Sequence, residues 1–294
     1  MIKKTTHLLI FLFLTSVLYG QGFHSLKMGC DARSGALGMA YTAVSDDGAA
    51  GFWNPAGLSR LNKGDLIVSL HKWIFDTQSG FISAGWGGKE WGIGAYLLYT
   101  EVGNIELRVV PSPTPIATFS AHEMILGISY SRMIQKRIWM GITLKGLYER
   151  IYIEEAAGCA LDIGILISLM DSGLRAGGVI QNIGRTTKMR YDEIDLPLTA
   201  KVGLCWPFNI NTSILTISMD CVKEKNFPIH IHCGIEYGWG KRVFIRIGYQ
   251  TGYQIRSFST GIGFIWSSYR LDYSYSPLQS EFGDSHKISI GISL

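Results

Sequence analysis

Apolar and polar positions alternate along this chain with a period of two residues over most of its length. The final segment shows the pattern cleanly. Ile288, Ile290, Ile292 and Leu294 share one parity, and Ser289, Gly291 and Ser293 the other. Ile229, Ile231, Cys233, Ile235 and Tyr237 alternate in the same way with His230, His232, Gly234 and Glu236. So do Val243, Ile245, Ile247 and Tyr249 with Phe244, Arg246 and Gly248, and Leu215, Ile217 and Met219 with Thr216, Ser218 and Asp220. A period of two puts successive side chains on opposite faces of a strand, one greasy and one wetter. The pattern predicts strands at 65–74, 79–88, 90–102, 119–132, 137–151, 158–169, 173–183, 196–206, 212–223, 228–238, 242–251, 257–267, 268–276 and 286–294.

The connections between these segments alternate too. Gly88–Lys89, Met133–Lys136, Met170–Ser172, Pro207–Asn211, Trp239–Lys241 and Ser267–Ser268 are short. The segments 103–118, 184–195 and 277–285 are long, the first carrying Pro111, Pro113 and Pro115. Short turns on one rim and longer loops on the other are the habit of outer-membrane barrels. A closed barrel also pairs every backbone group, which a sheet needs in order to cross lipid. The expected fold is all-β: an antiparallel transmembrane β-barrel of about 14 strands. Trp73, Trp91, Tyr99, Trp139, Trp206, Trp266 and Tyr269 fall near strand ends, where interfacial aromatics are expected.

The N-terminus reads as an export signal. Lys3 and Lys4 precede an apolar run from Leu8 to Tyr19, too short for a membrane-spanning helix. Cleavage is expected after Gly20 or Gly22, with residues 1–20 as the signal, 21–63 as an N-terminal segment and 64–294 as the barrel. The expected location is the bacterial outer membrane, with its lipid as the surrounding partner.

Composition sharpens this picture in few places. Hydrophobic content is 47%, charged content 17%, and there are 35 glycines, which suits a lipid-facing wall with tight turns. The net charge of +4 is unclustered and argues against a nucleic-acid partner. Cys30, Cys159, Cys205, Cys221 and Cys233 are odd in number and widely spaced, so no disulfide framework or zinc site is expected. No phosphate loop or nucleophile elbow is present, and neither enzymatic activity nor a cofactor is expected. His230 and His232 share a face with Glu236. With Arg246 they are expected to be lumen-facing polar residues, since two imidazoles are too few for a closed metal site. Glu154 and Glu155 are expected in a solvated external loop.

Before the first strand the pattern changes. Leu37, Ala40, Tyr41 and Val44 fall at helical spacing, with Ser34 as a candidate N-cap. Asp46 and Asp47 then open a turn, expected to be solvated, although pairing with a lumenal arginine or calcium would also suit them. Asn54-Pro55 initiates a second turn leading through Ala56 and Gly57 to Leu58. Such an element belongs at the periplasmic mouth or inside the lumen, since a barrel of this size needs filling.

The stretch from Ala32 and Arg33 to Asp46 and Asp47, with Asn54-Pro55-Ala56-Gly57-Leu58, resembles the N-terminal signature of the PorV/PorQ family within the FadL-like outer-membrane transport group. Leu161–Gly164, Gly178–Gly184, Leu196–Leu198, Gly234–Tyr237, Arg246–Tyr249 and Leu271–Tyr273 fit the same family pattern. The resemblance implies a short helical hatch plugging the barrel, with Arg33, Asp46, Asp47, Asn54, Pro55, Ala56 and Gly57 as hatch or gating residues. Members like PorV serve type IX secretion, so the implied partners are cargo C-terminal domains and other secretion-system subunits. FadL itself admits hydrophobic ligands, and uptake of a hydrophobic small molecule is the alternative that the resemblance implies. The loops here are shorter than a cargo-handling member would carry.

Overall fold

The structure is a computed structural model that describes residues 22–88, 90–253, 256–278 and 283–294. The expected signal segment, 1–20, lies outside the described residues.

Four short helical pieces come first: α1 (Ser25–Met28), α2 (Ala32–Ala36), α3 (Ala50–Trp53) and a 3-10 turn at Pro55–Arg60. Strands then follow without interruption. They are β1 (Gly64–Lys72), β2 (Thr77–Gly87), β3 (Trp91–Leu107), β4 (Ala117–Gln135), β5 (Ile138–Ile151), β6 (Glu154–Ser168) and β7 (Arg175–Thr186). A small hairpin of β8 (Lys188–Met189) and β9 (Asp192–Glu193) interrupts the wall. The wall resumes with β10 (Thr199–Ile210), β11 (Ser213–Glu224), β12 (Ile229–Trp239), β13 (Val243–Gln250), β14 (Phe258–Trp266), β15 (Tyr269–Pro277) and β16 (Asp284–Ser293).

Among the described residues, fourteen of these strands close into one antiparallel barrel, with β8 and β9 left outside it. The seam joins first strand to last, from Asp65 opposite Ser293 to Lys72 opposite His286. Closure leaves no strand without a neighbour on either side, so the wall can face lipid. Its outer surface is a belt of exposed apolar side chains, among them Ile82, Ile128, Leu144, Val202, Ile217, Ile247 and Ile290. Trp86, Trp91, Trp239, Trp266 and Tyr269 are exposed at the short-turn rim. Taking short turns as periplasmic, these form an aromatic girdle at that interface. The chain is thus built as a bacterial outer-membrane barrel.

Two expectations about the connections need correction. The segment 103–118 is strand at both ends: β3 and β4 stay paired to Leu107 and Ala117 across a bulge between Val102 and Ile105, which leaves 108–116 as the connection. A bulge lets a ladder bend without ending. Glu154 and Glu155 likewise lie in β6, paired with Ile151 and Arg150, and not in a loop.

The N-terminal pieces fill the lumen as a hatch. The expected helix over Leu37–Val44 is not formed. Helix α2 lies earlier, capped by Asp31, whose carboxylate accepts from the Ser34 amide, so Asp31 and not Ser34 is the N-cap. Gly38 (φ +61°) and Met39 (φ +62°) then turn the chain out of helix. The Tyr41 and Thr42 amides are held by the wall residue Asp220 instead, at 3.0 and 2.9 Å. Tertiary partners have replaced the helix's own.

Two wall glycines show how closely the hatch fits. A Cβ on Gly164 would lie 2.1 Å from the Asn54 side-chain oxygen, and one on Gly248 would lie 2.0 Å from the Gly38 nitrogen. Only glycine leaves room for the hatch at these points. Behind them Trp53, Phe52, Tyr41, Phe81 and Tyr96 pack into an aromatic core between hatch and wall.

Candidate functional site

The hatch is tied to the wall by charge at one end and by amides at the other. Arg33 donates to both carboxylate oxygens of Glu236 at 3.0 Å and to Asp46 at 2.8 Å. Glu236 also accepts from Arg246, which reaches on to Asp272 at 2.7 Å. Arg270 continues the chain between Asp272, at 3.1 Å, and Asp65, at 3.5 Å. Each buried ion therefore has an opposite neighbour, the condition under which burial of charge is tolerated.

Asp46 and Asp47 are not the solvated turn expected of them. Asp46 pairs with Arg33, and Asp47 accepts from the Tyr41 hydroxyl at 2.6 Å. Burial pushes the Asp47 carboxyl up to about 6, against the opposing pull of the Arg270 and Arg33 guanidiniums.

At the other end, the Asn54 side-chain nitrogen donates to the Thr42 carbonyl at 2.9 Å and the Ile165 carbonyl at 3.1 Å. Its oxygen accepts from the Ala56 amide, so one side chain closes the turn and fastens it to β6. Pro55 opens the 3-10 turn, and Pro55, Ala56 and Gly57 are all buried. A Cβ on Gly57 would stand 2.1 Å from the Ser45 carbonyl oxygen.

Above the hatch, on the loop side, lies a cavity of about 550 Å³. Leu26, Met28, Met39, Trp73, Val222 and Phe227 give it an apolar lining. Residues from α1 and Met39 form its hatch side, while β7, β10, β11, β12, Trp73, the connection at Phe227 and Pro228 and the segment after β13 supply the rest. Its charged groups are three cations, Lys27, Lys201 and Arg256, and one carboxylate, Glu224. Lys27 pairs with Glu224 at 2.7 Å. Lys201 and Arg256 have no carboxylate within 4.0 Å among the described residues. Lys201 stands 5.0 Å above the Trp53 ring, and Arg256 donates to the Lys27 carbonyl.

His230 and His232 both border this cavity. His230 stacks on Tyr253 with ring centres 4.2 Å apart, and His232 meets the Tyr253 hydroxyl at 3.0 Å. Glu236 and Arg246 point inward on the same side of the barrel but join the ion network, so the four predicted lumenal residues divide between two structures. Among the described residues, no group of three His, Cys, Asp or Glu side chains could hold a metal ion.

Sequence reasoning put Asp220 on the wetter face of its strand without a role and missed Lys201, Gln181 and Lys287. Each occupies the inward parity of its strand, amid glycine and serine, and each grips the hatch or lines the cavity. Gln181 donates to the Phe52 carbonyl at 2.7 Å, and Lys287 to the Met28 carbonyl at 2.7 Å. An ionisable or amide side chain breaking a run of small inward residues was the available signal.

No family model matches the sequence, and no curated protein matches it. Solved structures do. The CymD monoaromatic hydrocarbon channel superposes with a TM-score of 0.63 at 12% identity, covering 91% of this chain and 98% of that one. The Ralstonia pickettii toluene transporter TbuX gives 0.62 at 12% identity, covering 90% and 97%. A Pseudomonas aeruginosa FadL homologue gives 0.61 at 11% identity, covering 90% and 98%. The chain shares its fold with these three proteins. At such identities the likeness is one of architecture, and function is argued from the site.

Proposed function

We propose that this barrel is a channel admitting a hydrophobic or amphipathic small molecule across the outer membrane. The observation that carries this reading is the apolar cavity of about 550 Å³ between the hatch and the outer loops. Its size and lining are those of a small-molecule site. The shared fold with a monoaromatic hydrocarbon channel and a toluene transporter supports it. Lys201 and Arg256 suit the head group of an anionic amphiphile, and the methionines and Phe227 suit its tail.

The purified protein, titrated with a long-chain carboxylate and separately with toluene, should show saturable quenching of tryptophan fluorescence. Trp73 lines the cavity and Trp53 lies beneath Lys201. Lys201→Gln should weaken carboxylate binding by about tenfold, the worth of one charged hydrogen bond, and leave toluene unaffected. Absence of saturable binding by both probes would sink the reading.

A second reading rests on the resemblance of Arg33–Leu58 to PorV/PorQ proteins, in which the external connections bind secretion cargo or partner subunits. The external connections here run from residues 152–153 between β5 and β6 to 187–198 between β7 and β10, with 108–116 joining β3 and β4. Co-purification of secreted proteins with the native barrel, lost on deleting residues 108–116, would favour it over transport.

A further inference from the structure

Two carboxylates face each other on the lumenal side near the outer rim. Glu123 of β4 and Glu149 of β5 are direct cross-strand partners. Glu149 is 6% exposed, its Oε2 atom has no hydrogen-bond partner among the described residues, and no basic side chain lies within 4.0 Å of it. Like charges opposite each other repel, and a buried carboxylate without a cation is costly. The backbone beside that oxygen is that of Gly22. A Cβ on Gly22 would stand 2.8 Å from Glu149 Oε2. The neighbouring carboxylate, Glu123, accepts from the His24 amide at 3.1 Å and the Ser25 amide at 3.0 Å.

A second observation concerns Phe23. It is fully buried, yet its φ is +55°, a left-handed conformation that a bulky side chain resists. The torsion φ is defined by the carbonyl carbon of the preceding residue. A first residue has no such carbon and carries no such strain. The sequence agrees, because Gly20 and Gly22 are small residues at the −3 and −1 positions of a cut between Gly22 and Phe23.

We propose that the mature chain begins at Phe23 and that its α-ammonium docks in the Glu149–Glu123 socket. A signal-type peptidase would hydrolyse the Gly22–Phe23 amide. Water's hydroxyl goes to the Gly22 carbonyl carbon, the C–N bond breaks, and the Phe23 nitrogen takes water's remaining proton. A further proton from solvent makes it an ammonium at neutral pH. Processing thereby creates a cation beside the carboxylate that lacks one. The lock also fixes α1, whose Leu26, Lys27 and Met28 form part of the cavity wall. It does not depend on what the cavity binds.

The test uses the full chain, expressed with its own leader and extracted from outer membranes. Intact mass and N-terminal sequencing should give Phe23 as the first residue. An amine-reactive label at pH 7 should modify the Phe23 α-amine about tenfold more slowly in the folded barrel than in the unfolded chain, as a locally closed group is protected. Glu149→Gln should restore most of that labelling. Where Glu149→Gln fails to assemble, a Gly-Ser insertion immediately before Phe23 displaces the ammonium and should expose it equally. A mature chain starting elsewhere, Gln21 included, would overturn the proposal. So would a Phe23 amine that labels at the same rate in the native protein and in these variants.

Discussion

Glu236 is the residue on which the hatch's ion network turns. Its two oxygens serve Arg33 of the hatch and Arg246 of the wall together, and both guanidiniums are largely removed from solvent. Glu236→Ala leaves two buried cations facing each other, and a loss of about 3–5 kcal/mol in unfolding free energy is expected from denaturant titration in detergent. Asp47 should behave differently. Its folded pKa, about 6, stands above the ordinary value of 3.8, so the folded hatch holds this proton more tightly than the unfolded chain. That contribution favours folding below pH 4 and is lost as pH rises through 6. Asp47→Asn keeps an acceptor for the Tyr41 hydroxyl and removes the ionisation. Protease resistance of the hatch should then lose the part of its pH dependence lying between about 4 and 6. The inward orientation of Glu236 follows from strand parity alone, whereas the burial of Asp47 does not. An Asp-Asp-Gly run is also what a solvated turn looks like, and only the folded lumen brings arginines to it.

At the scale of the elements, the strands were legible because lipid on one face and hatch on the other enforce a strict period of two. Segments such as 228–238 and 242–251 differ from β12 and β13 by a residue at most. The hatch was not legible in the same way. The spacing of Leu37, Ala40, Tyr41 and Val44 imitates a helix, but Asp220, Gln250 and Ser259 bind its backbone from the wall and pull it into an irregular path. Those partners lie about two hundred residues away, beyond the reach of any local pattern. The fit of hatch to wall yields an element-scale expectation. Gly164→Val and Gly248→Leu each place a side chain where hatch atoms already stand. The barrel should still close, but the hatch should become cleavable by added protease, and single-channel conductance in planar bilayers should rise above that of the native protein. A plugged barrel of unchanged conductance would count against this account.

For the whole molecule, the closed ladder predicts high resistance to unfolding. The unboiled protein should migrate as a compact band in SDS gels and shift on boiling, because no edge is available from which the wall can be peeled. The path of the chain through this ring has a further consequence. Gly22 sits beside Glu149 and Ile194 near the outer rim, and the hatch descends from there to leave the lumen at the periplasmic rim, where Gly64 begins the wall. The polypeptide is therefore threaded through a loop made of its own later residues. Since Leu294 hydrogen-bonds to Gly64 to complete that loop, the two ends of the chain meet the same problem of timing. Either residues 22–63 are in place when the last strand docks, or they must afterwards be fed through an opening already lined for a tight fit. Biogenesis of this barrel is then a matter of order as well as affinity, with the plug serving as the mandrel on which the cylinder is wound.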